Sequence, residues 1–378
     1  MSEHWQFGKH LDLTLDDVVC SEATDRQRTL SWKLNGACWV PRMTLEEYVG
    51  LEKTLSETAL TAHGRIRYYV LTRKDDPETI VSSCEVIYKT LLLADATGSR
   101  VVDGYSVASL FTAPQHRGRG MASFLLKRVQ ELADRFTECG TLYSDSRRTY
   151  HSRLGWVSFA SAQIVFNLDL SQPVDSNKPD DRVSLLAESD VADLCDKDVQ
   201  GLMQQFHLLA KQLEAEKRGT THITFLPTFA QCSWHFARDA YMAKAMAVGR
   251  PVQYRGARTS DGQSWLYWDH DLRERKLKVL RIVVGGDNTE NKWEEDIKVL
   301  LEAALAEARA WGLPKVIVWN PYKTVSAAAT NVWLDADNSK LKLLFEDRDD
   351  GTIPSLRWRN GDRSRTTLWE ENEYFSWC

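Results

Sequence analysis

The chain has 378 residues, of which 43% are hydrophobic and 27% charged, with a formal net charge of −5 at neutral pH. This length exceeds one ordinary domain and the apolar fraction is sufficient for two cores, so two domains are expected. The basic residues are dispersed rather than clustered, which argues against a nucleic-acid partner. No apolar run is as long as a membrane span, and residues 1–10 lack the apolar core of a secretory signal, so we expect a soluble cytoplasmic protein.

Cysteine and histidine give no sign of disulfides or of a metal site. The seven cysteines are odd in number, widely spaced and without a Cys-x-x-Cys pair, so they are expected to be reduced thiols. A structural zinc site needs clustered ligands, which the nine histidines do not supply. Asp269-His270-Asp271 is the nearest candidate, but a polar strand end explains it better, and no metal is predicted.

The first 112 residues predict helices followed by an antiparallel sheet. Residues 44–55 read as a helix that begins with a threonine cap and a glutamate three residues later. Residues 67–72 and 80–93 predict a hairpin joined by a turn-rich segment. Residues 104–112 predict the next strand, which Pro114 ends because proline lacks a ladder donor.

The segment after this strand has the features of a pyrophosphate site. Gly118 and Gly120 allow a sharp turn and a close ligand approach, although an ordinary strand-to-helix turn can also carry a glycine pair. Apolar residues then recur at helical spacing over residues 121–133. The unpaired amides of the first helical turn and the helix dipole favour an anion, to which two arginines add charge. The residues expected at this site are Arg117, Gly118, Arg119, Gly120, Met121 and Ala122.

The residues that follow complete a recognisable pattern. Residues 141–144 predict a strand, 147–154 a short helix closed by Gly155, and 156–170 a final strand. Arg-x-x-Gly-x-Ala at 117–122, followed by Tyr-His-Ser-Arg-Leu-Gly-Trp at 150–156, resembles the acetyl-CoA core of the Gcn5-related N-acetyltransferase (GNAT) superfamily. The resemblance implies a mixed α/β fold and acetyl-CoA as cosubstrate.

The resemblance extends over essentially the whole chain. Ser-Ser-Cys-Glu-Val at 82–86, Leu-Tyr-Ser-Asp at 142–145 and the Trp-rich second half, including residues 265–271, are similar to the fungal lysine N6-acetyltransferase-like proteins. For that family the implied reaction is transfer of acetyl to the side-chain amine of free lysine, an entry to lysine breakdown. The implied partner is therefore a small-molecule amine.

The second half is expected to be a degenerate copy of the first. Proline and polar residues over 171–181 indicate a linker between domains at 1–170 and 182–378. A strand, a long helix and a strand, ending at Trp319, repeat the order found around the acetyl-CoA motif. The loop at 285–293 is acidic and would repel a pyrophosphate. We therefore expect this half to close the acceptor pocket or to act only as a structural support.

Acyl transfer to an amine needs a base and main-chain donors for the thioester. Glu85 is the candidate base, because a carboxylate in mid-strand beside the motif strand needs a partner; an exposed strand residue is the alternative. The resemblance implies that main-chain groups of a splayed motif strand bind the thioester and the pantetheine amides. The matching residues are Leu110, Phe111 and Thr112.

The leaving thiolate needs an acid, and here the chain departs from its relatives. The superfamily pattern has a tyrosine four residues before the Leu-Gly glycine, whereas this chain has His151 there and Tyr150 one residue earlier. Position favours His151, but a phenol near pKa 10 is protonated at neutral pH, whereas imidazole requires its charged form. Two rival functions stay open, a tailoring acyltransferase for a specialised metabolite and a CoA-binding regulatory module without turnover.

Overall fold

The computed structural model describes residues 13–39, 43–145, 148–171, 181–246, 248–286, 289–336, 341–349 and 351–377. The elements up to residue 168 are β1 (Val18–Glu22), α1 (Asp25–Trp39), α2 (Leu45–Ser56), β2 (Ile66–Arg73), β3 (Ile80–Asp95), β4 (Gly98–Thr112), α3 (Met121–Ala133), β5 (Cys139–Ser144), α4 (Arg148–Ser152), β6 (Val157–Ser158) and β7 (Ala162–Leu168). The later elements are β8 (Val183–Leu186), α5 (Glu188–Glu216), β9 (Thr220–Phe225), α6 (Phe229–Ala245), β10 (Gly256–Thr259), β11 (Trp265–Asp271), β12 (Lys276–Val283), α7 (Glu290–Ala310), β13 (Lys315–Trp319), α8 (Lys323–Asp335), β14 (Leu341–Asp347), β15 (Ile353–Trp358) and β16 (Thr366–Trp369).

The strands form two mixed sheets. The first has the order β1-β2-β3-β4-β5-β15-β6, and β9, which pairs with β16, also joins it along β3. The second has the order β14-β7-β13-β12-β11-β10-β8. Each contains one central parallel pair, β4 with β5 and β12 with β13. The predicted repetition of one strand order in both halves is present in this arrangement.

The two sheets exchange strands. β7 follows the first five strands in sequence, yet it pairs with β13 and β14 of the second sheet. β15, from the second half, lies between β5 and β6 of the first sheet. The single strand predicted over 156–170 is therefore wrong, because the chain leaves the first sheet after Ser158 and joins the second at Ala162. The predicted linker lies mostly outside the described residues, and its place as a domain boundary stays a prediction.

Helices cover the sheets, and apolar side chains join the two sheets into a shared core. α3 packs on the first sheet and α7 on the second, while α2 contacts α6 across the two halves. One buried cluster combines side chains of β3 and β9 with side chains of β11, β12 and β13. Among the described residues, no helix combines the length and apolarity needed to cross a bilayer. Contacts across the shared core set the position of α6 beside the first sheet.

The carboxy-terminal segment lies across the opening of the second sheet. Pairing between β12 and β13 ends at Val279 and Val318. Beyond that point the Tyr374 ring lies 3.9 Å from the ring of Trp319, and the Ile282 amide donates to the Glu373 carboxylate at 3.2 Å. The segment also reaches the first sheet, where the buried Lys89 amine donates to the Ser376 carbonyl. Aromatic side chains thus occupy the opening between β12 and β13, which corresponds to the opening between β4 and β5 in the first half.

Candidate active site

Two irregularities in β4 create the cleft. Parallel pairing with β5 ends at Val107 and Leu142, although both strands continue beyond it. On its other edge, the β3–β4 register shifts between Ser83 and Glu85, and Ser109 has a left-handed φ of 52°. A bulge of this kind turns the strand and redirects its polar groups, as is common beside active sites. The backbone of β4 after Val107 is consequently open to a ligand on the side facing β5.

A cavity of about 440 Å³ occupies this opening. It lies between the separated ends of β4 and β5, the first turn of α3, and α4. Two of the three predicted strand residues, Leu110 and Thr112, line it, whereas Phe111 is buried and its carbonyl accepts a hydrogen bond from Ser82. The full lining is Val107, Ala108, Ser109, Leu110, Thr112, Ala122, Leu142, Tyr143, Ser144, Asp145, Tyr150 and His151.

The glycine loop at the end of this cavity fits a pyrophosphate. Gly118 and Gly120 have φ of 76° and 78°, and an added Cβ would meet nothing within 4 Å at either position. The loop therefore leaves space above the free amides at the start of α3. The Arg117 Nε donates to the Thr112 carbonyl at 3.0 Å, and its guanidinium lies 5.6 Å from the Phe111 ring centroid.

The other residues of the loop differ in their surroundings. Met121 is buried in the core beneath α3, whereas Ala122 lines the cavity and Arg119 is half-buried. The loop thus presents backbone amides and small side chains, and not Met121, to the cavity. Direct contact of the Met121 side chain with a ligand is not supported by this burial.

Tyr150 and His151 both line the cavity, although adjacent helical residues point in different directions. Their rings lie 4.8 Å apart and nearly perpendicular, and the Tyr150 hydroxyl is 3.1 Å from the Ser123 hydroxyl. Burial lowers the pKa of His151 to about 4, so its imidazole is neutral at physiological pH. The buried Nδ1 of His151 has no hydrogen-bond partner among the described residues.

A second cavity, of about 300 Å³, adjoins the first. The two share Val107, Ala108, Ser109, Tyr143 and Asp145, which therefore mark their junction. The Asp145 carboxylate accepts from the Thr352 amide at 3.1 Å, in the segment before β15. The remaining lining residues come from both halves of the chain: Met43, Tyr48, Leu51, Glu52, Leu55, Glu85, Ile87, Trp234, Arg238, Met242, Arg273, Thr352 and Trp377.

Glu85 lies at the bulge and is only 8% exposed, so the alternative of an exposed strand residue is wrong. It stands opposite Tyr68 in β2 and Ala108 in β4. Burial raises the pKa of Glu85 well above its usual value, and the charge of Glu52 raises it further, while Trp32 and Ser109 favour the charged form. The predicted base is thus a buried carboxylate whose pKa is raised by burial and by a neighbouring carboxylate, as is common at functional sites.

Glu52 is a second carboxylate that sequence reasoning missed. Burial raises its pKa to about 7, against the opposing effects of Tyr48 and Arg238. It lies one helical turn after Tyr48, on the side of α2 that also buries Leu51 and Leu55. That spacing is visible in the sequence and could have identified Glu52. No comparable spacing in the sequence identifies the residues that α6 and the carboxy-terminal segment contribute to this cavity.

The second half contains paired charges where a metal was considered. The Asp271 carboxylate is 2.8 Å from the Lys278 amine, and the His270 Nε2 is 2.9 Å from the Glu307 carboxylate. Asp269 lies between Lys278 and His235. No group of three or more His, Cys, Asp or Glu side chains in the described ranges is arranged to hold a metal ion. Asp269, Asp271 and Glu307 therefore lie in buried ion pairs with basic neighbours.

Known proteins are similar to this chain in sequence. Residues 167–378 match the family model of the LYC1 GNAT-like C-terminal domain. The chain is 23% identical over 326 residues to a lysine acetyltransferase of Yarrowia lipolytica, covering 74% of this chain and 79% of the relative. It is 22% identical over 403 residues to an uncharacterized protein of Saccharomyces cerevisiae, covering 96% and 98% of the two chains.

Solved structures share the fold. A GCN5-related N-acetyltransferase from Anabaena variabilis matches with a TM-score of 0.53 at 12% identity. The match covers 91% of this chain and 73% of the Anabaena chain. A protein from Pyrococcus horikoshii has a TM-score of 0.52 at 10% identity and covers 97% of both chains. The predicted fold class, a GNAT fold followed by a second GNAT-like half, is confirmed.

Replacing Gly120 with alanine tests the pyrophosphate site, with Gly262→Ala as the matched control. Both glycines have left-handed φ and open space around them, and Gly262 lies in the turn between β10 and β11. Backbone strain should lower the free energy of unfolding by about 1–2 kcal/mol in both variants, measured by urea denaturation. Only Gly120→Ala should also weaken CoA binding, by about tenfold in calorimetry. Equal CoA affinity in the two variants would contradict the assignment.

Proposed function

The chain belongs to the LYC1-like GNAT family and is a GNAT-type N-acetyltransferase, and from this premise we propose that it uses acetyl-CoA to acetylate the side-chain amine of free lysine. The observation that carries this proposal is the buried Glu85 in a cavity that adjoins the cleft beside β4. The similarity to a lysine acetyltransferase of Y. lipolytica supports lysine as the acceptor.

The first cavity suits acetyl-CoA, which supplies the acetyl group as a thioester. The amides at the start of α3 would hold its pyrophosphate, and Arg117 and Arg119 would add positive charge. The unpaired edge of β4 at Leu110 and Thr112 would bind the pantetheine amides. Main-chain groups at the bulge would then face the thioester, where developing negative charge needs donors.

The acceptor amine needs a base, and Glu85 fills this role in the proposal. A lysine side chain with a pKa of about 10.4 arrives protonated at neutral pH. Glu85, whose pKa is raised well above its usual value and which is therefore a stronger base than an ordinary glutamate, accepts that proton directly or through water. Glu52 lies in the same cavity, and the two carboxylates together attract a cationic side chain.

Tyr150 is the better candidate for the leaving-group acid. A neutral imidazole with its pKa lowered to about 4 has little tendency to supply a proton from its charged form at neutral pH, which weighs against His151 in that role. Tyr150 lines the same cavity, and its phenol is hydrogen-bonded to the Ser123 hydroxyl. We assign the proton transfer to Tyr150 and contact with the donor to His151.

The test of the proposed function is thiol release from acetyl-CoA with lysine, ornithine, diamines and amino-terminal peptides as acceptors. We expect turnover with lysine, and mass spectrometry should locate the acetyl group on the side-chain nitrogen. Turnover with another amine and not with lysine would favour a tailoring acyltransferase. Tight CoA binding without turnover on any amine would favour a regulatory module. Either outcome contradicts the proposal.

Glu85→Gln should lower kcat/KM for lysine by about 10²- to 10⁴-fold, because the variant has no carboxylate to accept the proton. In the unaltered enzyme, kcat/KM should fall as the pH drops through the raised pKa of Glu85, since a base must be unprotonated to act. This decrease of kcat/KM at acidic pH should be smaller in Glu85→Gln. Glu46→Gln, on the exposed start of α2, is the control and should change neither value. An unaltered decrease at acidic pH in Glu85→Gln would exclude Glu85 as the base.

Tyr150→Phe should lower kcat by at least about tenfold, because the departing thiolate loses its proton donor. Ser123→Ala removes the same hydrogen bond but keeps the phenol, and it should stay near the unaltered rate. His151→Phe should keep the shape of the pH profile, because the imidazole it removes is already neutral. Single-turnover thiol release across pH measures all three. If the decrease in rate at alkaline pH disappeared in His151→Phe and in neither other variant, His151 would be the leaving-group acid.

A further inference from the structure

Arg238 offers hydrogen-bond donors to the acceptor cavity that the protein itself does not use. The side chain extends from α6, is 8% exposed and lines the second cavity. Within the described part of the chain its guanidinium makes no hydrogen bond; its closest anion is Asp271 at 3.6 Å, and the Trp377 ring lies 5.7 Å away. A guanidinium has five donors, and within the described residues no Arg238 nitrogen is a fully enclosed atom without a partner, so its donors reach the cavity.

Among the residues that the structure describes, neither neighbouring carboxylate accepts a hydrogen bond from Arg238. Asp271 accepts from the Lys278 amine at 2.8 Å and from the Glu274 amide at 2.9 Å. Asp269 lies 3.8 Å from the same Lys278 amine and 3.6 Å from His235. These buried charges stabilise a cation at Arg238 without satisfying its donors. The donors therefore remain available to an anion that enters the cavity.

The charges of the cavity are arranged along its length. Asp145 and the bulge at Ser109 belong to the junction with the first cavity, and Glu85 stands at that bulge. Arg238 lines only the second cavity, as does Glu52, whose carboxylate is stabilised by the charge of Arg238. A molecule whose amine lies at the bulge would thus have the Arg238 guanidinium near another of its groups in the second cavity. The charge pattern matches a ligand that carries an ammonium at one end and a carboxylate at the other.

We propose that Arg238 binds the carboxylate of the acceptor, so that the enzyme selects a free amino acid over a simple diamine or a lysine within a peptide. This inference rests on the proposed function, since it assumes that the second cavity holds the acceptor. Planar guanidinium and carboxylate groups can form two parallel hydrogen bonds, which gives both affinity and orientation. The carboxylate then sets how far the side-chain amine reaches toward Glu85.

The test compares lysine with lysinamide and cadaverine, which keep the side-chain amine but lack the carboxylate. Calorimetry in the presence of CoA measures binding, and thiol release measures turnover. Binding of lysine should be about 10- to 150-fold tighter than binding of either analogue, as expected for hydrogen bonds to charged groups. Arg238→Gln should reduce lysine binding to the level of lysinamide and leave lysinamide binding unchanged. Arg258→Gln, an exposed arginine of β10, is the control.

Binding and turnover together separate the two proposals. Equal affinity of the unaltered enzyme for lysine and lysinamide, or no binding of lysine, would overturn the role of Arg238. The same holds if Arg238→Gln weakens both ligands alike. Lysine that binds more tightly than lysinamide but is not acetylated would support the carboxylate site and contradict the proposed reaction. Arg238→Lys keeps the buried charge beside Asp271 and should retain part of the preference for lysine if Arg238→Gln does not fold.

Discussion

The active site depends on backbone groups of β4 that no neighbouring strand satisfies. Parallel pairing with β5 stops at Val107, and the bulge at Ser109 turns the following residues away from a regular ladder. Buried amides and carbonyls require partners, which the acyl donor would provide in the proposed function. The bulge also brings Glu85 to the point where the two cavities meet. The cleft beside β4 and the position of Glu85, the proposed base, are thus consequences of one interrupted strand.

The second half of the chain takes part in the site without repeating its chemistry. Its own parallel pair opens in the same way, but Tyr374 and neighbouring residues lie across the opening. The same segment continues to Trp377 in the second cavity, to which α6 contributes Trp234, Arg238 and Met242. The second GNAT-like half thus forms part of the wall of a cavity in the first half. The expectation of pocket closure is favoured over that of a purely structural support.

Local sequence patterns predicted the parts of the site that are contiguous in the chain. The hairpin, the glycine loop and α3 follow from strand alternation, glycine and helical periodicity, and they lie near their predicted bounds, whereas β4 begins at Gly98 and not at residue 104. Glu85 could be selected because a carboxylate in the middle of a strand needs a partner. Arg238 could not, because only tertiary packing brings α6 beside β3. The break at Ser158 was also missed, since alternation within a strand does not reveal which sheet it joins.

The strand exchange has a consequence for the order in which the protein folds during synthesis. β15 lies between β5 and β6, and 197 residues separate Ser158 from its hydrogen-bond partner Ser355. While the ribosome makes the intervening chain, β5 has a free edge, and such edges invite pairing with other chains. Contacts of this sequence separation also form slowly. We expect the first sheet to be completed only late in translation, so chaperone binding to the nascent chain would protect the unfinished edge of β5.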